Sequence, residues 1–328
     1  MKEHDQPDRL VLVEMYRKMS LIKQNDERFR SVVKSGRLVM PYYSPRGQEV
    51  IPSAVSVQLT NDDYICTIYR GIHDMLAKGV PTKLLWAELA GRATGTCKGK
   101  GGPMHITHPA SGVMVTTGVV GSSMPIANGL ALAAQIRGEK RVTIAYFGDG
   151  ASNIGAFHEA LNMASVWKLP VIFVCQNNGY AEHTKYEYGT SAVSIAARAP
   201  GYSMPGVTVD GNDPVAMYKA AGTAIARARA GEGPTLLEAK TFRFQGHVFG
   251  DVDAYMDPAE KAAAIAKDPV PAYRAWLISN EHASEAEIDM IEKAIKQEID
   301  EAVEFAMASP FPDVAELRRD VYAQEVEA

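Results

Sequence analysis

Cysteine is scarce in this sequence of 328 residues, which contains only three: Cys66, Cys97 and Cys175. They are too few and too scattered for a disulfide framework, or for the paired CxxC spacing of a zinc knuckle. A reducing compartment suits such a chain, and we expect a cytoplasmic location.

The sequence also lacks an excess of positive charge and a long hydrophobic run. Its formal net charge is -5, so it offers no basic field that could displace counterions from a nucleic acid. No uncharged apolar run reaches the length of a membrane span, and the charged N-terminal segment has no secretory signal pattern. We therefore expect no nucleic-acid and no membrane partner, and a small molecule is the expected substrate.

Several nucleotide and metal motifs are missing. No GxGxxG pattern follows a predicted strand and no GK[ST] occurs, which argues against a dinucleotide-binding domain and a P-loop NTPase. His158-Glu159 begins like the zinc-binding helix of metalloproteases, but Asn162 stands where the second histidine ligand would be.

Apolar runs typical of buried strands alternate with alanine-rich runs typical of helices. The strand-like runs are 142–147, 171–175, 207–209 and 235–239. This alternation predicts an α/β fold with a doubly wound parallel sheet. Residues 91–125 and 243–260, rich in small residues without a clean period, are predicted to be long functional loops.

Helical extensions are predicted on both sides of the sheet. Residues 8–35 should form an amphipathic helix on the outside of the core, with an apolar face of Leu10, Val13, Tyr16 and Met19. Residues 284–307 should form another, with an apolar stripe of Ile288, Ile291, Ile295, Ile299 and Val303. The predicted divisions are an N-terminal extension 1–39, an α/β domain 40–260 and a C-terminal extension 261–328.

Two short motifs carry the candidate chemistry. One predicted strand ends at Gly148-Asp149-Gly150 and, one strand–helix–strand unit later, another ends at Asn177-Asn178. A right-handed crossover brings both motifs to the edge of the sheet where α/β proteins bind ligands. The glycines and the following helix N-terminus suit a phosphate, while Asp149 and Asn178 oxygens with a backbone carbonyl suit Mg2+. Either motif alone is more often an ordinary turn, but their joint occurrence favours a ligand site.

These motifs resemble the GDG and NN pattern of thiamine diphosphate enzymes. The surrounding words are similar to the alpha subunit of the heterotetrameric first component of pyruvate, branched-chain 2-oxo acid and acetoin dehydrogenase complexes. The similarity extends through RGQE (46–49), YRG (69–71), GKGGPMHI (99–106), TGVVGSSMPIANGLA (117–131), VDGNDP (209–214) and FRFQGHVFGD (242–251). It implies the thiamine diphosphate-binding fold and an oxidoreductase that cleaves a C–C bond next to a carbonyl of a small oxo substrate, passing the acyl group to lipoamide.

The resemblance also implies roles at the cofactor's charged end. Asp149 and Asn178 would be Mg2+ side-chain ligands, and Tyr180 would add its backbone carbonyl. The residues that would bind the diphosphate are Tyr69, Arg70, Gly150 and Ala151.

At the other end of the cofactor, Gly118 and Val120 would lie against the aminopyrimidine ring. His247 would be the catalytic histidine near the thiazolium, and its titration near neutral pH would let it carry a proton. His105 belongs to a matched loop, but no physical role follows for it.

Partners and substrate are less defined. No segment resembles the one that carries the cofactor-activating glutamate, so the resemblance implies a transketolase-like beta subunit in an α2β2 heterotetramer, together with a lipoyl-bearing acyltransferase.

Tyr43 stands where pyruvate-type enzymes usually carry a histidine, Val248 replaces a serine that is phosphorylated in animal enzymes, and Met256 replaces a common arginine. The segment 91–102 favours acetoin-type members. Two alternatives stay open: a non-oxidative thiamine diphosphate lyase or transketolase-like subunit, and a non-catalytic assembly subunit.

Overall fold

The computed structural model describes residues 7–321. Its helices are α1 (Arg9–Lys34), α2 (Val50–Ser56), α3 (Ile72–Lys78), α4 (Thr82–Leu89), α5 (Ser123–Ile136), α6 (Gly155–Val166), α7 (Tyr186–Gly189), α8 (Pro214–Arg229), α9 (Pro258–Ala266), α10 (Pro269–Ser279) and α11 (Glu285–Ala308). Its strands are β1 (Tyr64–Ile68), β2 (Val113–Thr117), β3 (Thr143–Gly148), β4 (Val171–Asn177), β5 (Tyr180–Ala181), β6 (Thr184–Lys185), β7 (Gly206–Asp210) and β8 (Thr235–Lys240). Short 3-10 turns connect several of them.

Six strands form one parallel sheet in the order β2-β1-β3-β4-β8-β7. All seven residues of β4 are buried, because helices cover both faces of the sheet. The predicted runs 142–147, 171–175, 207–209 and 235–239 correspond to β3, β4, β7 and β8 within two residues at each end. The predicted α/β fold is confirmed.

Two strands at the other side of the sheet were not predicted. The sequence pattern predicts no strand at the residues of β1, and β2 lies inside the segment 91–125, for which a loop is predicted. β2 has five residues, of which two are threonines, and it is an edge strand that pairs with β1 alone. A short, partly polar edge strand between glycines has neither the length nor the apolar continuity of a central parallel strand.

Helix α1 belongs to the core and not to its outside, so that part of the prediction was wrong. Leu12, Met15 and Met19 are fully buried, and Phe29 stacks on Trp86 with ring centroids 3.6 Å apart. Leu10, assigned to the apolar face, is 73% exposed. Steps of three residues drift around a helix, and nine residues turn it by roughly two and a half revolutions, which places Leu10 opposite Met19.

Helix α11 follows the prediction closely. Its N-cap Ser284 accepts from the amide of Glu287, and it packs against α1 and α4. Four members of the predicted stripe are buried and Ile291 is half-buried. The proposed division at residue 260 falls within α9, and the three-part division stays a prediction. Of the helices within residues 7–321, none combines the length and apolar composition that crossing a bilayer requires.

Candidate active site

A crevice opens where the strand order reverses. From β1 the chain moves to one side to form β2, and then crosses to the other side to form β3. Parallel α/β sheets bind ligands at such a point, outside the carboxyl ends of the strands. Here a cavity of about 400 Å³ is found, and it is lined by all ten predicted cofactor residues: Tyr69, Arg70, Gly118, Val120, Asp149, Gly150, Ala151, Asn178, Tyr180 and His247. The fold therefore brings together residues that lie up to 178 positions apart in sequence.

Asp149 is the first residue after β3, at the start of a 3-10 turn over Asp149–Asn153. Its side chain is 2% exposed, and its Oδ2 has no hydrogen-bond partner within the described part of the chain. Burial raises the pKa of Asp149 to about 6. A buried carboxylate oxygen without a partner is costly, so this position is built to receive a cation or donor from a ligand.

Asn178 follows β4 and is oriented by a residue to which sequence reasoning gave no role. Its amide nitrogen donates to Gln48 Oε1 at 2.8 Å, and its Oδ1 accepts from the Tyr180 amide at 3.2 Å. Gln48 thereby fixes which way the Asn178 amide faces. The signal for Gln48 was its place in the matched word RGQE.

Gly150 lies against the hairpin of β5 and β6. A Cβ atom at this position would be 2.6 Å from the Cβ of Ala181, closer than such atoms approach. Only glycine therefore allows the turn after β3 to touch the hairpin that carries Tyr180.

Two buried arginines face the cavity without a carboxylate acceptor. Arg70 donates to the carbonyls of Ser44 and His247, each at 2.9 Å. Arg243 donates through Nη2 to the Glu182 carbonyl at 2.8 Å and to the Tyr255 hydroxyl at 2.7 Å. Because these acceptors are neutral, neither guanidinium forms an ion pair with a carboxylate in the described part of the chain.

The electrostatic consequence appears in the pKa of Arg70, which burial and the neighbouring Arg243 lower to about 10. An anion in the cavity would relieve both effects. Arg243 was not predicted as a site residue, although it lies in the matched word 242–251.

His247 sits at the mouth of the cavity, among aromatic rings and positive charge. Its ring is edge-on to Tyr43 and Tyr69, with centroids 5.4 and 5.9 Å away, and its Nδ1 lies 3.4 Å from Arg70 Nη2. Burial, Arg70 and Arg243 lower the pKa of His247 to about 4. The expectation that it titrates near neutral pH is therefore wrong for this chain alone, because neighbours distant in sequence hold the ring neutral.

The loop around His247 is tied down by Asp251. This carboxylate accepts from the His247 amide at 2.7 Å and from the Tyr255 hydroxyl at 2.6 Å. The backbone of His247 is thus fixed from two sides, by Asp251 and by Arg70. Val248 and Met256, two of the departures noted above, have apolar side chains, and Met256 is buried.

A glycine-rich loop, residues 97–102, leads to another wall of the cavity and is held in place by Glu88. The carboxylate of Glu88, fully buried on α4, accepts from the backbone amides of Cys97, Gly99, Gly101 and Gly102 at 2.7, 2.9, 2.7 and 3.2 Å. The loop leads to Met104, which lines the cavity, and to His105, whose ring would meet a Cβ at Gly118 at 3.7 Å. His105 is thereby placed against the cavity wall.

A crevice at the switch point of a parallel sheet, with a partnerless carboxylate oxygen and two buried arginines that lack an ion-pair partner, is typical of an α/β enzyme with an anionic ligand. The chain belongs to the dehydrogenase E1 component family, whose model matches residues 16–315. Family membership implies a thiamine diphosphate-dependent oxidoreductase.

The curated relatives cover nearly the whole chain. The alpha subunit of acetoin:2,6-dichlorophenolindophenol oxidoreductase from Bacillus subtilis (strain 168) is 41% identical over 94% of this chain and 92% of its own length. The protein of the same name from Cupriavidus necator is 40% identical over 96% and 95%. The pyruvate dehydrogenase E1 component subunit alpha of Porphyra purpurea is 37% identical over 95% and 93%.

Proposed function

We propose that the cavity binds thiamine diphosphate together with Mg2+, and that the chain is the alpha subunit of an acetoin or 2-oxo acid dehydrogenase that passes an acyl group to lipoamide. The observation that carries the proposal is the partnerless Asp149 oxygen in a cavity that it shares with two buried arginines, neither of which has an ion-pair partner in the described part of the chain. A diphosphate–Mg2+ pair supplies both the missing cation and the missing anion.

The residues present fit the metal. Asp149 Oδ2 is available, the Asn178 amide is held by Gln48, and the Tyr180 backbone follows directly. Residues 7–321 hold no cluster of three or more His, Cys, Asp or Glu side chains suited to a metal ion. The cation would therefore complete its shell with phosphate oxygens and water, as Mg2+ commonly does.

The remaining contacts would divide along the cofactor. Tyr69, Arg70 and the amides of Gly150 and Ala151 would hold the diphosphate, to which Arg243 adds a second guanidinium. Gly118 and Val120 would lie against the aminopyrimidine ring.

When bound, the cofactor supplies the carbon nucleophile and the electron sink for cleavage next to a carbonyl. The chain orients it and keeps His247 at the reactive end. A bound diphosphate would offset the charges of Arg70 and Arg243, which would raise the pKa of His247 back toward its ordinary value. His247 would then be able to hold or release a proton during turnover.

A second chain is part of the proposal. The relatives are named as alpha subunits, which supports a beta subunit in an α2β2 assembly and a lipoyl-bearing acyltransferase. Val120, which lines the cavity, and its neighbour Val119 are 49% and 66% exposed, an apolar surface that a beta subunit would cover. The cytoplasmic location stays a prediction.

Titration calorimetry tests the proposal on the complex co-expressed with its beta chain. Thiamine diphosphate with Mg2+ should bind the unaltered complex, and Asp149→Asn should lose most of the affinity while keeping the side-chain shape. Asp62→Asn, at an exposed position remote from the cavity, is the control and should bind normally. Equal binding by Asp149→Asn would contradict the proposal and favour a non-catalytic assembly subunit.

A further inference from the structure

The mouth of the cavity contains an acidic side chain that the proposed cofactor does not use. Glu182 lies in the turn between β5 and β6, and it lines the cavity. Its φ of 53° is in the left-handed region, which non-glycine residues seldom adopt, and Arg243 holds its carbonyl at 2.8 Å. The backbone of Glu182 is thus fixed by a residue of the cavity itself.

The charge of Glu182 acts on the reactive end. Burial and the guanidinium groups of Arg70 and Arg243 lower the pKa of His247, and the carboxylate of Glu182 opposes them. Burial raises the pKa of Tyr69, and the same carboxylate adds to that effect. Glu182 is therefore close enough to influence what binds beside these two rings.

Lys185, on the same hairpin, is engaged elsewhere, because its Nζ lies 3.1 Å from a Glu260 oxygen. In the proposed complex, Arg70 and Arg243 face the diphosphate. The negative charge of Glu182 consequently remains available at the mouth.

The other Asp, Glu and Arg side chains that line the cavity are Arg70, Asp149 and Arg243, which would face the proposed diphosphate and Mg2+. Tyr43, Tyr69, Met104 and Val120, which also line the cavity, are uncharged. Tyr43 packs edge-on against Tyr69 with centroids 4.7 Å apart.

We propose that Glu182 is a specificity-determining residue that selects an uncharged carbonyl substrate, an α-hydroxy ketone or an aldehyde, over the anion of a 2-oxo acid. It does so by repelling a substrate carboxylate at the mouth while leaving a neutral substrate unaffected. The names of the relatives include both acetoin, which is neutral, and pyruvate, which is an anion, so family membership leaves this choice open. The inference rests on the proposed function.

The test compares acetoin and pyruvate as substrates of the co-expressed complex, with 2,6-dichlorophenolindophenol as electron acceptor. The unaltered enzyme should prefer acetoin. Glu182→Gln should raise the kcat/KM for pyruvate by about fivefold and leave that for acetoin within a factor of two, since the charge is removed and the shape is kept. Glu182→Asp should behave like the unaltered enzyme, and added salt should narrow the difference between the unaltered enzyme and Glu182→Gln.

Glu187→Gln is the matched control, because Glu187 follows the same hairpin but does not line the cavity. It should leave both rates unchanged. A pyruvate preference in the unaltered enzyme, or an equal change for both substrates in Glu182→Gln, would overturn the inference. Thiamine diphosphate affinity, measured by calorimetry on the same preparations, separates the two levels: failure of the proposed function appears as no cofactor binding in any variant.

Discussion

The inner end of the cavity and its mouth differ in how much of the site this chain completes by itself. Asp149 and Asn178 are 2% and 6% exposed, and Gln48 braces Asn178 from behind. At the mouth, Val120 is 49% exposed and Glu182 lies in an exposed turn. The inner end is therefore preorganised within one chain, whereas the mouth is an exposed surface that the proposed beta subunit would cover. Substitutions at the inner end should change cofactor affinity, and those at the mouth should change turnover.

The largest effect is expected at Gly150. Gly150→Ala would push the β5–β6 hairpin, and the Tyr180 carbonyl with it, away from the proposed metal, because its Cβ would be 2.6 Å from that of Ala181. Calorimetry on the co-expressed complex should show a loss of thiamine diphosphate affinity of roughly 100-fold.

The same contact provides a rescue for Gly150→Ala. Ala181→Gly alone should bind almost normally, and combined with Gly150→Ala it should restore most of the affinity. If the double variant binds as weakly as the single one, the steric explanation is wrong.

A smaller effect is expected at Gln48, which contacts a proposed metal ligand without being one. Gln48→Leu keeps the bulk but removes the acceptor that orients Asn178. Affinity for Mg2+ with thiamine diphosphate should fall at least about tenfold. Gln297→Leu, on the exposed face of α11, is the control. An unchanged affinity in Gln48→Leu would show that Asn178 does not need this partner.

At the mouth, Asp251→Ala should separate turnover from affinity. It removes the acceptor of the His247 amide and of the Tyr255 hydroxyl, so the histidine loop loses a fixed backbone position. We expect kcat to fall several-fold while cofactor affinity stays within a factor of two. Asp253→Ala, whose carboxylate pairs with Lys261, should show neither effect. A parallel loss of affinity would erase the distinction between the two ends.

The smallest effect is a dependence of stability on pH. His247 in the folded chain has a pKa of about 4, below its ordinary value of 6.5, so between these values the unfolded chain binds a proton that the folded chain does not. Stability should therefore fall as pH drops from 6.5 toward 4, by about 1 kcal/mol once solvent screening of this half-buried ring is allowed for.

His247→Gln isolates this contribution. Thermal unfolding of the cofactor-free complex should show a smaller decrease in Tm over that pH interval in the variant, and parallel curves above pH 7. Identical curves at all pH values would contradict the lowered pKa of His247.

The same contrast explains what could be predicted from sequence. β3 and β4 are continuous apolar runs that are followed by polar residues. Both strands, and the ligand positions after them, could therefore be predicted from the local sequence alone. β2 could not be predicted in this way, because the sequence of a short edge strand with two threonines resembles that of a loop.

The sequence also failed to predict properties that depend on neighbours distant in sequence. The pKa of His247 depends on Arg70, 177 positions away, and Gln48 contacts Asn178 across 130 positions. The resemblance identified the ten predicted residues that line one cavity. It did not predict the charged groups and the hydrogen-bond partners that surround them.

Glu88 fixes one wall of the cavity although it does not line the cavity itself. The loop that it holds is rich in glycine, so it has few side chains with which to pack, and four amides converge on one carboxylate instead. The contour of the surface at Met104 therefore depends on a residue of α4 that does not line the cavity. A substitution at position 88 could therefore change the shape of this wall, although the residue itself does not line the cavity.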